Sequence, residues 1–150
     1  MTFTYSPIGV IHSPFKSKQE IQPDMNKRPD GYDQIKGQIE IQEEFAPGLQ
    51  DISGFSHLLV IFAFHQSEAG GLNAHPPFDQ KPRGVFSTRS PHRPNAIGLT
   101  VVRLHRCEGR FLHVSGLDML EGTPVLDLKP YTPRDQKSEA RFGWLEEFLH

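Results

Sequence analysis

Apolar and polar residues alternate along much of the chain, and that period of two predicts strands. Residues 8–12 read as a first strand, closed by Ser13-Pro14. Residues 37–45 set Ile39 and Ile41 against Glu40 and Gln42, the pattern of a half-buried strand. Residues 97–106 set Leu99, Val101 and Arg103 opposite Thr100, Val102 and Leu104. Glu108-Gly109 then makes a turn into residues 110–117, so these two strands are expected to form a hairpin. Residues 125–129 alternate again, with Leu126 and Leu128 facing away from Val125, Asp127 and Lys129. Residues 57–65, HLLVIFAFH, are apolar on both faces and predict a central, well-buried strand. Residues 84–87 are short and β-like. Only the tail has a helical period. Ser138 can cap it, and Phe142, Leu145 and Leu149 recur at spacings of three and four. Its stripe, with Trp144 or Phe148, is expected to lie on the sheet or on a partner chain.

Two long polar stretches, 16–34 and 66–83, interrupt the strands. Loops of that length in compact domains tend to carry function. No repeat, low-complexity tract or linker divides the chain, and no GxGxxG or βαβ pattern occurs. The expected fold is therefore one all-β domain over residues 1–150. It is an antiparallel, barrel-like sheet of six to seven short strands with long loops and a C-terminal helix.

Composition agrees with this pattern. Thirteen Gly and thirteen Pro favour short strands and turns, and eleven Phe can fill a core. A single cysteine, Cys107, excludes an internal disulfide framework and suits a reducing, cytoplasmic setting. The longest apolar run, 58–64, falls far short of the roughly twenty residues of a membrane span, so no membrane association is expected. The net charge of −2 argues against a nonspecific, strongly basic nucleic-acid binder. Charge is nonetheless unevenly placed. Residues 81–93 carry Lys81, Arg83, Arg89, Arg93 and His92 with no acid, which suits contact with a specific anionic ligand or, equally, a solvated charged loop.

Three groups of residues could carry chemistry. In residues 88–95, TRSPHRPN, two prolines stiffen the chain. Its two arginines offer forked donors for carboxylate or phosphate, or pair with nearby acids. In residues 117–131, Gly122-Thr123-Pro124 makes a tight turn that presents backbone groups and the Thr123 hydroxyl. Asp127 and Lys129 share a strand face, as an ion pair or with Asp127 accepting a proton from an amine substrate. His65-Gln66 follow the buried strand, where a ligand site or a polar edge to the core both fit. The same two readings apply to His12 and His57. Eight histidines show no HExxH and no i, i+4 pair, and no CxxC exists, so no metal site is expected.

The segments IGVIHSPF (8–15), GFSHLLVIFAFH (54–65), GVFSTRSPHRPNAIGLTVVRL (84–104) and GLDMLEGTPVLDLKPYTP (116–133) resemble the tRNA methyltransferase O family, also called the TsaA-like or YaeB-like family. The resemblance runs in the same order over most of residues 7–133. It implies a β-barrel-like fold and a homodimer with S-adenosylmethionine near the subunit interface. It also implies N6-methylation of N6-threonylcarbamoyladenosine beside the anticodon of tRNA. Carried over by position, it places cofactor contacts on His65, Gln66, Arg89, Leu99 and the turn Asp118, Met119, Leu120, Glu121, Gly122 and Thr123. Under that reading Asp127 would receive or orient the N6 proton, and Tyr131 would stack on a base or line the pocket. Lys81, Arg83 and Arg93 would track substrate phosphates. Two departures stand out. The family's Gly-Thr-Pro-Arg-Gln-like segment in the first long loop is reduced here to Gln22-Pro23. The chain is also expected to be a short form without the further C-terminal domain of longer relatives. Those losses keep two alternatives open: a non-catalytic S-adenosylmethionine-binding regulator, or a methyltransferase acting on another small or RNA acceptor.

Overall fold

The computed structural model describes residues 1–21, 32–67, 70–76, 79 and 81–149. Its frame is a closed barrel of six antiparallel strands. In chain order the strands are β1 (Gly9–His12), β2 (Lys36–Ile41), β3 (His57–Ala63), β4 (Asn73–Ala74), β5 (Arg83–Gly84), β6 (Ile97–Glu108), β7 (Phe111–Ser115) and β8 (Pro124–Pro130). Around the barrel they run β1-β2-β7-β6-β3-β8, and β8 returns to β1 through Gly9 opposite Val125 and Val10 opposite Pro124. Closure leaves the barrel without an unpaired sheet edge. β4 and β5 form a separate two-stranded ribbon within the second long loop.

Alternation drives the closure. Ile11, Ile39, Ile41, Leu58, Val60, Val102, Leu112, Val114 and Val125 face inward and are almost fully buried. So small a barrel is filled by side chains rather than holding a lumen. Leu117 and Met119, from the segment between β7 and β8, complete the core cluster. The expected hairpin is present as β6 and β7, with Glu108 opposite Phe111.

Three local expectations change. β3 is not enclosed on both faces: Leu58, Val60 and Phe62 point inward, while Leu59, Ile61 and Ala63 are only half-buried on the outside. They pair laterally with Val101, Leu99 and Ile97, which are 44%, 46% and 46% exposed, so a row of apolar side chains runs across the outer wall. In β8, Val125 and Asp127 do not share a face. Ile61 pairs with Asp127 but Phe62 pairs with Val125, so Leu126 is an extra residue that turns Val125 inward and leaves Asp127 and Lys129 outside. The tail is a 3₁₀ segment, Gly143–Phe148, shorter than the helix suggested by Phe142, Leu145 and Leu149. Gly143 has φ +54° and Phe142 lies outside the helical region, so the helical period has no backbone to support it. Ser138 therefore caps nothing, and Phe142 is exposed.

Candidate functional site

The antiparallel order brings one set of strand ends to a single rim of the barrel. That rim holds the end of β3, the starts of β6, β8 and β2, and the end of β1. A cleft of about 40 Å³ opens there, lined by Phe62, Phe64, His65, Gln66, Ser67, Met119, Leu120 and Thr123. Its floor is apolar, with Phe62 and Phe64 edge to face at 5.1 Å. Its edge is polar, with His65 and Gln66 exposed. A flat ring can lie on such a floor while backbone and amide groups read its edge. Five residues expected at the site from the sequence, His65, Gln66, Met119, Leu120 and Thr123, thus converge although more than fifty positions separate the two groups in the chain.

Neighbouring groups extend the site. Thr100 donates its hydroxyl to Asp118 at 2.7 Å. Burial pushes the Asp118 carboxyl above its ordinary range, opposed by the Thr100 bond and by the charge of Arg89. Arg89 is exposed, and the segment that carries it runs into the start of β6 at this rim, where the Phe64 N–H donates to the Ala96 carbonyl at 2.9 Å. The Thr123 hydroxyl donates to the Leu120 carbonyl at 2.7 Å, so its proton serves the turn, while its oxygen keeps accepting capacity.

The other expected residues lie elsewhere or are engaged. Leu99 stands on the outer apolar row, on the opposite side of the wall from the cleft floor. Asp127 is exposed on the outer face, 3.6 Å from Lys129, and accepts the Leu128 N–H at 2.8 Å. Tyr131 packs on His57 at 5.9 Å, at the far rim. Eight residues of extended chain separate His57 from His65, roughly 26 Å at about 3.3 Å each. Tyr131 therefore does not reach the cleft of its own subunit. Arg83 pairs with Asp79 at 2.6 Å and lies 4.7 Å from the Trp144 ring, so it fastens the tail instead of facing solvent. Trp144 also donates its indole N–H to the Ser87 carbonyl at 2.9 Å. Arg93 donates to the Thr88 and Ser90 carbonyls and stiffens its own loop. Lys81 is exposed. Gln22-Pro23 lie outside the described residues.

Glu121 is in the expected turn, but its side chain points away from the cleft. It contacts His12 at 3.1 Å and accepts the Ser13 N–H at 3.1 Å. Beside it a wider, open groove of about 470 Å³ is lined by His12, Ser13, Pro14, Lys16, Lys36, Gly37, Gln38, His113 and Glu121. The smaller cleft is the better candidate because it is the less open of the two and combines an apolar floor with a polar edge. Sequence reasoning passed over this network; its signal was the pair His12 and Glu40 at polar positions of neighbouring strands. Among the described residues, no group of three or more His, Cys, Asp or Glu could hold a metal ion. No helix among them is long and apolar enough to cross a membrane.

A closed antiparallel barrel with a small apolar cleft at one rim defines a class of β-barrel quite unlike a doubly wound nucleotide fold. The tRNA-methyltransferase O N-terminal domain matches residues 10–136. The chain belongs to the tRNA-methyltransferase O family. It is similar to a protein of Pyrococcus abyssi named a probable S-adenosyl-L-methionine-binding protein, with 44% identity over 147 residues covering 97% of this chain and 78% of the relative. It is similar to a rat tRNA (adenine(37)-N6)-methyltransferase, with 42% identity over 132 residues covering 83% of this chain and 30% of the relative. The crystal structure of TrmO from Pseudomonas aeruginosa superposes with a TM-score of 0.76 at 39% identity, covering 96% of this chain and 63% of that one. The chain therefore spans less than two thirds of that bacterial protein and about a third of the rat one.

Proposed function

We propose that the protein is an S-adenosylmethionine-dependent methyltransferase that acts on tRNA in the cytoplasm. The acceptor is N6 of the adenosine beside the anticodon, carried as N6-threonylcarbamoyladenosine. The observation that carries this reading is the convergence of His65, Gln66, Met119, Leu120 and Thr123 around Phe62 and Phe64, with Arg89 and Asp118 alongside. These groups fit the cofactor's chemistry: the apolar floor takes an adenine ring, and the exposed Arg89 guanidinium takes a carboxylate. The names of the relatives support the cofactor and N6 of a tRNA adenine as acceptor, and the threonylcarbamoyl group follows from the resemblance of the sequence segments. When bound, the cofactor supplies an electrophilic methyl group. The chain's residues hold the ring, exclude water from the apolar floor and fix the acceptor's approach. Within one subunit the carboxyl beside the cleft turn is Asp118, next to Met119 in the chain and bonded to the Thr100 hydroxyl, while Asp127 lies on the outer face. The outer row of Ile97, Leu99, Val101, Leu59 and Ile61 is the surface for the homodimer.

Calorimetry with S-adenosylmethionine, followed by labelled-methyl transfer into total tRNA and nucleoside analysis of the product, tests the reading. Arg89→Ala should weaken cofactor binding about tenfold, the worth of one charge-assisted bond. Binding without transfer would leave a non-catalytic binding protein, and no binding would sink the proposal. Sedimentation of the same sample reads the dimer.

A further inference from the structure

The turn that lines the cleft is fastened on its other side by a residue outside the site. His12 ends β1 with both ring nitrogens against carboxylates. Nδ1 lies 3.1 and 3.2 Å from the two oxygens of Glu121, and Nε2 lies 2.9 Å from Oε1 of Glu40. The other Glu40 oxygen accepts from Arg110 Nη1 at 2.8 Å. A neutral imidazole has one N–H, so it would set a lone pair against one of these carboxylates. The geometry selects the doubly protonated ring.

Residues 118–123 have two sides. Met119, Leu120 and Thr123 line the cleft, while Glu121 points to His12. The backbone carries the link onward: Glu121 N–H donates to the Phe15 carbonyl at 2.7 Å, and Gly122 N–H donates to the Ile11 carbonyl at 2.8 Å. Ile11 N–H donates to the Thr123 carbonyl at 2.9 Å.

We propose that His12 is a positioning residue for the cofactor: its imidazolium, bridging Glu40 and Glu121, holds the 118–123 turn in the shape that lines the cleft, and cofactor affinity falls when that proton is lost. The proposal rests on the cofactor reading above. The charged groups around His12 come from every neighbouring element. Glu40 lies on β2 and Arg110 precedes β7. Lys16 is 3.8 Å from Glu121, and Lys36 and His113 line the same groove. His113 faces Glu108 at 3.4 Å and Gln38 at 3.4 Å. The Glu40 hydrogen bond raises the His12 pKa against the opposing effect of burial, and Glu121 raises it further. Glu40 is held below its ordinary value by His12 and Arg110. Glu121 is held low too, because the His12 and Ser13 bonds outweigh burial. Both carboxylates thus stay charged while His12 titrates. The clamp is complete below the ordinary 6.5 of a histidine and is lost as pH rises through the raised value.

Calorimetric titration of the full chain with S-adenosylhomocysteine from about pH 6 to about pH 9 tests this in the parent, His12→Gln and His12→Lys. The parent should lose about fivefold in affinity across the range, the lower end of ordinary coupling between sites. His12→Gln should be weaker by a similar factor at the acid end and lack the step. His12→Lys, a permanent cation over this range, should keep the acid-end affinity at high pH. In the unliganded parent, the Met119 methyl resonance should follow the His12 titration, and in His12→Gln it should not. A step surviving in His12→Gln overturns the proposal, as does a Met119 signal blind to pH. No binding by the parent at any pH overturns the cofactor reading and this proposal together. Binding without the His12 step overturns this proposal alone.

Discussion

Gly98→Ala inserts one methyl group between β6 and the floor of the cleft. Gly98 sits opposite Phe62 in the β3–β6 ladder, and the Phe62 ring lies flat over the position where a Cβ would stand. That Cβ would lie 2.8 Å from the ring's Cε1 and closer still to Cζ and Cε2. Carbon atoms at rest keep about 3.5–4.0 Å apart, so the ring must move by more than an ångström. It has little room, being 3% exposed and packed edge to face on Phe64. Overpacking of this kind costs about 1–3 kcal/mol. The displaced ring also leaves the cleft, so ligand affinity should fall with stability. Urea unfolding gives the first quantity and calorimetry the second. The double variant with Phe62→Leu separates the clash from any general effect of alanine in a strand. Removing the ring should recover much of the Gly98→Ala cost, a coupling of about 1–2 kcal/mol. Additive losses in the double variant, or a Gly98→Ala protein as stable as its parent, would refute the reasoning.

Asp118→Asn should leave the protein as stable as the parent at neutral pH, or more so, because the amide oxygen still accepts from Thr100 and no charge is buried. The sign follows from the raised pKa: the folded state favours the protonated acid, so the parent loses stability relative to the variant as pH rises above the ordinary 3.8. Melting temperatures of both proteins between about pH 4 and pH 8 check this, and parallel curves would contradict it. Trp144→Ala removes the bond to Ser87 and the ring beside Arg83, worth together about 1–2 kcal/mol. Amide exchange should accelerate at Val85–Ser87 while the β1–β2 amides keep their protection; uniform acceleration would mean that the tail holds the whole barrel.

The strands were legible because a barrel wall imposes a period of two, as in Ile39 and Ile41 of β2 or Val102 and Leu104 of β6. The hairpin was legible from Glu108-Gly109. Barrel closure through two residue pairs of β1 and β8 leaves no local trace in either strand. The faces of β8 were misread at Val125 because an extra residue resets the alternation and nothing in VLDLK marks it. The engagement of Arg83 and Arg93 was not legible for another reason. Their residue type fits an anion contact, but the partners that engage them, Asp79, Trp144 and the carbonyls of Thr88 and Ser90, are set by how loops and tail meet. The cleft was legible through family-specific segments, whereas the His12 clamp needed the β1–β2 register and the direction of the Glu121 side chain.

The extra residue in β8 also bears on how this strand can change length. Without Leu126, Val125 would still face Phe62 and Asp127 would still face Ile61, now in unbroken alternation. Asp127 and Lys129 would stay outside, and Leu128 would stay opposite Val60. In a regular strand the loss of one residue sends every later side chain to the other face. Here the bulge absorbs that loss. The strand that leads out of the 118–123 turn can therefore shorten by one residue at Leu126 without moving a charge into the filled interior.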